Sequence, residues 1–293
     1  MIVRAEDRVL IQGITGRQGR FWTEKMQACG TQIVGGVNPK RAGETCCGVP
    51  VFGSAREAAD AVGFDVSVMF IPPAAALDAA TDAIEAGARL LVVLTEHIPA
   101  QDVMRMHAAA AAHGTRIVGP NTAGLVTPGV AFAGIMPAFE ERIFRPGTIG
   151  VISRSGSLGT LICLNVADAG FGQSAFIGIG GDPMLGTTAR DALEALEADE
   201  RTRGVILVGE IGGVLEEDAA EFAADMSKPV AAFIAGAASP PGKKMGHAGA
   251  IVMGDRGSYA SKRSALEAAG VVVADTPAGV IDGLRLHGKG VGL

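Results

Sequence analysis

A histidine set among small residues and cations dominates the chemistry open to this chain. It lies in Lys243-Lys244-Met245-Gly246-His247-Ala248-Gly249-Ala250, just after a Pro/Gly break. Small neighbours leave the imidazole open to a large incoming group, and the two lysines make the surroundings attractive to an anion. A neutral imidazole titrates near physiological pH and is a competent nucleophile toward phosphorus. A structural histidine, by contrast, is usually packed among larger side chains. Val208-Gly209-Glu210-Ile211-Gly212-Gly213 supplies a carboxylate between glycines. Such a glutamate is ordinarily solvated or a helix cap. Its alternative role is to accept the N–H of His247, fixing the tautomer that leaves the other ring nitrogen free to attack.

Two further loops offer backbone to an anion. Gly13-Ile14-Thr15-Gly16-Arg17-Gln18-Gly19 follows an apolar run and opens a helical pattern, the place where amides and a helix amino terminus face phosphate. Its G-x-x-G-x-x-G spacing differs from the dinucleotide G-x-G-x-x-G, so NAD is not the expected ligand. Arg17 and Gln18 add side-chain donors, and a purely structural tight turn stands as the alternative. Ser153-Arg154-Ser155-Gly156-Ser157-Leu158-Gly159 repeats the strand–loop–helix setting with three hydroxyls, one of which N-capping explains equally well. Ile179-Gly180-Gly181-Asp182-Pro183 is another glycine turn, for which loop geometry and ligand contact remain equally open.

The elements that must carry these loops alternate. Strand-like runs at 9–11, 33–37, 65–72, 90–96 and 116–121 are separated by helical patterns, including those to about Ala28, at 74–87 and at 100–113. The continuously apolar runs are those of parallel strands covered on both faces. This βαβ rhythm predicts a Rossmann-like doubly wound domain. A Pro- and Gly-containing stretch follows, and the rhythm restarts with strands at 148–153, 175–179, 205–208, 230–234 and 271–273. Helices are predicted at 157–169, 188–200, 216–226 and 261–269. The expected division is 1–126, a connecting segment 127–147, and 148–293.

Composition removes several function classes. The 293 residues are enough for two cores, and 42 glycines with one Trp and one Tyr fit an α/β protein with many strand-to-helix turns. A formal charge of −6 argues against general affinity for nucleic acid or an anionic membrane, so the basic clusters must serve local sites. No run reaches the length of a transmembrane span, and the amino terminus lacks a signal-peptide pattern. Cys29, the adjacent Cys46 and Cys47, and Cys163 show no metal-type spacing, and a reduced, cytoplasmic protein is expected.

Taken together, the segments resemble the α-subunit family of succinate–CoA ligase, the NDP-forming acyl-CoA synthetases. The matching pieces run in the family's order over nearly the whole chain: the Gln12–Gly19 loop, Val34-Gly35-Gly36-Val37-Asn38-Pro39, Gly119-Pro120-Asn121, Ser153-Arg154-Ser155-Gly156, Gly178–Pro183, Gly209–Gly213 and Gly246–Ile251. The resemblance implies an amino-terminal Rossmann-like CoA-binding domain and a flavodoxin-like parallel-sheet ligase domain. His247 would be phosphorylated in turnover with Glu210 orienting it. Ser153, Ser155, Gly156 and Ser157 would hold the phosphohistidine from a helix amino terminus. Thr15, Gly16, Arg17 and Gln18 match the CoA-contacting loop, and Leu94, Thr95 and Glu96 match a second CoA strand end. ATP or GTP with Mg²⁺ would sit on a separate ATP-grasp β subunit. The phosphoryl group would pass to His247, then to a small dicarboxylate, giving an acyl phosphate that the CoA thiol attacks. The chain lacks a Walker-type loop, in keeping with a nucleotide held elsewhere.

Some positions depart from the family wording. Where the family has a CoA-contacting lysine, this chain has Arg41 preceded by Lys40. Where it has a substrate-site tyrosine, this chain reads Gly159-Thr160, which enlarges the site and changes its donors. Thr122-Ala123, Met136–Phe139 and Ser239-Pro240-Pro241 also differ. Succinate is the default acid, with malate or another substituted dicarboxylate as the alternative within this chemistry. Two other classes compete. A nicotinamide-dependent oxidoreductase is disfavoured because Gly35-Gly36-Val37 lacks a ribose-binding acid. A noncatalytic CoA-binding regulator is disfavoured by the retained Glu210 and phosphate loops.

Overall fold

The computed structural model describes residues 1–238, 247, 249–250 and 256–287. They gather into two compact units, one built on Val3–Phe139 with Met184–Gly186, the other on Glu140–Pro183 and the described residues from Thr187 onward.

In the first unit, β1 (Arg8–Gln12), α1 (Arg17–Ala28) and β2 (Gln32–Val37) are followed by the short β3 (Thr45–Cys46), β4 (Val49–Phe52) and α2 (Ala55–Ala61). β5 (Val66–Met69), α3 (Ala76–Glu85), β6 (Leu90–Val93), α4 (Ala100–His113) and β7 (Arg116–Val118) complete the sheet. Its order is β3-β4-β2-β1-β5-β6-β7, parallel throughout except for the antiparallel β3–β4 pair. Every residue of β5 and β6 is buried, which is why those runs carry no polar alternation. Alanines at 58, 76, 80 and 83 fill the layer between helices and sheet. The chain leaves β1 for β2 on one side and reaches β5 on the other, so the crevice of an open sheet opens at their carboxyl ends.

Part of the stretch expected as a connector is regular structure. β8 (Gly124–Thr127) and β9 (Ala131–Gly134) form an antiparallel hairpin whose two strands are wholly buried. Phe132 meets Trp22 of α1 edge-on at 6.5 Å between ring centres, and its carbonyl accepts the Thr31 hydroxyl at 2.8 Å.

The second unit contains β10 (Pro146–Ser153), α5 (Gly156–Asp168), β11 (Gln173–Gly178), α6 (Ala189–Ala198), β12 (Gly204–Glu210), α7 (Leu215–Ala223), β13 (Val230–Ala235), α8 (Tyr259–Ala268), β14 (Val272–Ala274) and α9 (Val280–His287). These strands are all parallel, in the order β14-β13-β12-β10-β11. Local signals set the helix starts. Ser155 and Ser258 cap α5 and α8, and Thr188 with Asp191 forms a reciprocal capping box on α6. A second crevice lies between β10 and β12, where Ser153 pairs in register with Val208. Two α/β units thus present one ligand-type edge each. All four cysteines are free, and no helix among the described residues is long and apolar enough to cross a membrane.

Candidate functional site

In the first unit, the residues matched to CoA binding lie at one edge of the sheet. Gly13 accepts the Gly16 N–H at 3.0 Å and takes φ +78°, and a Cβ there would stand 2.3 Å from the Phe70 carbonyl. Gly19 is equally constrained, since its Cβ would meet Gly13 O at 2.3 Å. The glycine spacing therefore has a backbone reason, and it exposes Gly16, Arg17 and Gln18 at the start of α1. Thr15 is half-buried and accepts from Asn38 Nδ2, which ties this loop to the end of β2. Asn38 also accepts the Lys40 N–H at 3.0 Å, capping a short turn that exposes Lys40 and Arg41.

Arg41 is already engaged by Glu44, with Nη2 2.6 Å from Oε2, and this hydrogen bond raises its pKa further. Lys40 has no ion-pair partner among the described residues, so of the two cations it is the readier for a phosphate. Leu94, Thr95 and Glu96 follow β6. Thr95 donates to Ile71 O at 2.6 Å and its carbonyl accepts the Asn121 N–H, so this segment links the ends of β5 and β6. Glu96 is exposed, 3.7 Å from His97. The edge offers helix-start amides and cations on one side and strand-end backbone on the other, a donor set that suits the phosphates of CoA.

In the second unit, the structure joins the two residues that sequence reasoning paired. His247 Nδ1 lies 2.7 Å from Glu210 Oε2. A carboxylate only accepts, so the proton of the neutral ring sits on Nδ1 and the lone pair on Nε2. The imidazole is 28% exposed, and Glu210 is nearly buried at the end of β12. The hydrogen bond to Glu210 raises the His247 pKa; burial and Arg154 act in the opposite sense. Gly181 lies against the ring, where an added Cβ would fall 2.6 to 2.8 Å from ring atoms. The glycine turn after β11 thus packs on the His247 ring. Gly181→Ala is expected to shift the imidazole and slow chemistry at His247 by roughly 10²-fold with the fold intact. Single-turnover phosphorylation beside circular dichroism checks it, and an unchanged rate would show that the ring relaxes at no cost.

The serine loop divides its labour. Ser153 is buried, donates to Ser155 O at 2.7 Å and accepts the Ser155 N–H, so its hydroxyl shapes the turn. Ser155 accepts the Leu158 N–H as the N-cap of α5 and sits 3.3 Å from the exposed Ser157 hydroxyl. Gly156 is the first residue of α5. Thr160 turns its hydroxyl back to Gly156 O at 2.8 Å, within its own helix. Arg154, buried behind the loop, places Nε 3.3 Å from Glu210 Oε1. Sequence reasoning passed over this arginine because nothing in an arginine between serines distinguishes burial from exposure. His107 of α4 is half-buried, with Nε2 lacking a hydrogen-bond partner among the described residues and its pKa lowered by burial. Lys243, Lys244, Gly246, Ala248, Ile251 and the Ser239-Pro240-Pro241 segment lie outside the described residues.

A family model described as CoA binding domain matches residues 4–97, and one described as CoA-ligase matches 152–272. The succinate–CoA ligase [ADP-forming] subunit alpha of Methanothermobacter thermautotrophicus is 49% identical over 97% of this chain and 96% of its own length. The chain belongs to the succinate–CoA ligase α-subunit family. It is thus an NDP-forming CoA-ligase chain with an α/β fold. Subunits of this family differ in the acid named for them: an ADP-forming sulfoacetate–CoA ligase subunit of Bilophila wadsworthia is 39% identical over 96% of both chains. ATP citrate lyase of Methanosaeta concilii, in complex with (3S)-citryl-CoA, shares the fold at TM-score 0.89 and 23% identity. This chain covers 50% of that longer one.

Proposed function

We propose that His247 is the phosphoryl carrier of a nucleotide-dependent carboxylate–CoA ligase. In this reading the chain acts as the α subunit beside an ATP-grasp β subunit that carries ATP or GTP with Mg²⁺. The observation that carries the proposal is the 2.7 Å contact between His247 Nδ1 and the Glu210 carboxylate. It sits at the edge of the sheet where α5 presents its amino terminus.

Glu210 accepts the Nδ1 proton, and Nε2 takes the terminal phosphoryl group as the nucleoside diphosphate departs. In this reading the helix-start donors of Ser155, Gly156 and Ser157 receive the phosphorylated ring, and Ser153 keeps that turn in shape. An oxygen of the acid then attacks phosphorus and frees Nε2, forming an acyl phosphate. A carboxylate is a poor acyl donor until its oxygen becomes part of a phosphate leaving group. The CoA thiolate finally attacks the acyl carbon and releases phosphate, with Thr15–Gln18, Lys40, Arg41 and Leu94–Glu96 as the CoA-binding set.

Succinate is the acid best supported by the relatives' names. Malate or another substituted dicarboxylate is the second reading, favoured by Thr160, which is short and bonded to its own helix where the family pattern has a phenol.

Intact mass of the chain, co-purified with its partner and incubated with MgATP or MgGTP, should rise by one phosphoryl group that mild acid removes. No phosphorylation with either nucleotide in a stable complex sinks the mechanism and leaves CoA binding standing. Discharge of the phosphorylated enzyme by CoA plus succinate, malate or sulfoacetate then identifies the acid. A specificity constant for succinate above every hydroxylated or larger analogue excludes the second reading.

A further inference from the structure

A buried string of charges backs the His247–Glu210 pair, and the steps above make no use of it. Arg154 and Lys262 are 4% and 0% exposed. Arg154 Nε faces Glu210 Oε1, the oxygen that His247 leaves alone. Its Nη1 donates to Gly212 O at 3.2 Å and lies 3.8 Å from Glu216 Oε1. The same Glu216 oxygen accepts the backbone N–H of Glu210 at 3.2 Å. The other Glu216 oxygen pairs with Lys262 Nζ, which also donates to Gly212 O at 3.0 Å. Glu217 closes the string. Its Oε2 is 3.8 Å from Lys262 Nζ, and its Oε1 accepts from Gly257 N and the Ser261 hydroxyl, both at 2.9 Å.

Stability alone is a poor reason for this arrangement, because a buried ion pair rarely outdoes apolar packing of the same volume. Its geometry has a more specific consequence. Glu210 is held by its backbone N–H on Glu216, while Arg154 stands 3.3 Å from its side chain as a charge contact without a hydrogen bond, and Lys262 and Arg154 share Glu216 and the Gly212 carbonyl as anchors. Among the described residues, the groups facing His247 are Glu210 at the end of β12, Arg154 after β10 and Asp182 after β11. Both carboxylates favour the imidazolium, which has no lone pair to attack with. Arg154 is the opposing charge.

We propose that Arg154 and Lys262 are positioning residues for phosphoryl transfer at His247, fixing the Glu210 carboxylate through Glu216 and offsetting its charge so that the oriented imidazole stays nucleophilic. This rests on the reading of His247 as the phosphoryl carrier. Neither cation touches the reacting atoms; both act through Glu210.

The test uses the enzyme assembled with its nucleotide-binding partner. It reads the rate of His247 phosphorylation against pH, with CoA affinity as the control. Arg154→Met and Lys262→Met each remove a cation. They should move the acid limb up, by about one unit for Arg154→Met and by less for Lys262→Met, slow transfer near neutrality by up to about tenfold, and leave the CoA Kd unchanged. The double variant Glu216→Gln/Lys262→Met removes one charge of each sign and should return the acid limb to its wild-type position. An unmoved limb in the single variants, or one that the double variant fails to restore, reduces the string to packing and overturns the proposal. Should Lys262→Met fail to fold, Arg154→Lys decides. It keeps the charge but loses the guanidinium fork, and transfer should slow with the limb in place, whereas a wild-type rate overturns positioning. A wild-type enzyme that takes up no acid-labile phosphoryl group refutes the carrier reading instead, so the two failures are distinct.

Discussion

His247→Asn in the assembled enzyme is expected to lose net ligase turnover by at least about 10⁴-fold while still binding CoA. The asparagine amide can donate to Glu210 much as the imidazole Nδ1 does, so the carboxylate keeps a partner and the surrounding turn has no reason to rearrange. What disappears is the second nitrogen. An amide nitrogen has its lone pair delocalised into the carbonyl and does not attack phosphorus, so the covalent path has no carrier. CoA affinity should survive because the residues matched to CoA belong to the other compact unit, around α1, the end of β2 and the end of β6. Steady-state turnover with nucleotide, acid and CoA, beside calorimetric titration of CoA, reads both halves. A variant keeping more than about a hundredth of the rate would take His247 off the covalent path. A variant that loses CoA binding in parallel would show that the substitution damaged the fold.

What could be read from the sequence follows from how strongly each feature constrains local residue choice. The long alternating elements were legible because parallel strands covered on both faces are nearly continuous apolar runs, as in Leu90–Val93 and, but for Ser67, Val66–Met69. Helix 100–113 ends where the sequence places it, at a glycine with positive φ. Short elements were not legible. β3 and β4 are two and four residues long with Pro50 inside β4, and α2 has seven residues of mostly alanine, too little for a period to show. The β8–β9 hairpin hid in a stretch whose glycines and prolines look like those of a linker, because its strands owe their burial to partners far along the chain, Trp22 and Thr31 among them.

The site divides in the same way. Strand-end glycines and a carboxylate within reach of a histidine leave a local signature, so His247 with Glu210 and the loops at Gly13 and Ser153 could be found by eye. Charge burial leaves none. Glu216-Glu217-Asp218 looks like an acidic first helical turn and Lys262 like any lysine on a surface helix, yet Glu216 and Lys262 are shut off from solvent and joined to each other. Nor did the sequence show that Arg41 pairs with Glu44 three residues on.

Glu210→Gln should have the other large effect, lowering His247 phosphorylation by about 10²-fold near neutral pH and shifting its pH dependence. The glutamine carbonyl can still accept the Nδ1 proton, so tautomer and ring orientation are kept. The variant therefore isolates the charge. In the wild-type site the hydrogen bond to Glu210 is the largest influence on His247 and raises its pKa. A raised value means that the imidazolium persists to higher pH, so the nucleophile is lost as pH falls through a point above the ordinary histidine range. Without the carboxylate, burial and Arg154 continue to disfavour the imidazolium, Asp182 is the carboxylate among the described residues that still supports it, and the acid limb should move to lower pH. The deficit relative to wild type should then be smallest in acid and reach its full size above neutrality. Arg154→Met pushes the same limb the opposite way. Glu210 and Arg154 thus bracket the histidine, one supplying orientation at the risk of protonation and the other limiting that risk. A Glu210→Gln enzyme with an unmoved acid limb would separate the two roles, leaving Glu210 to orient the ring and some other group to set its basicity.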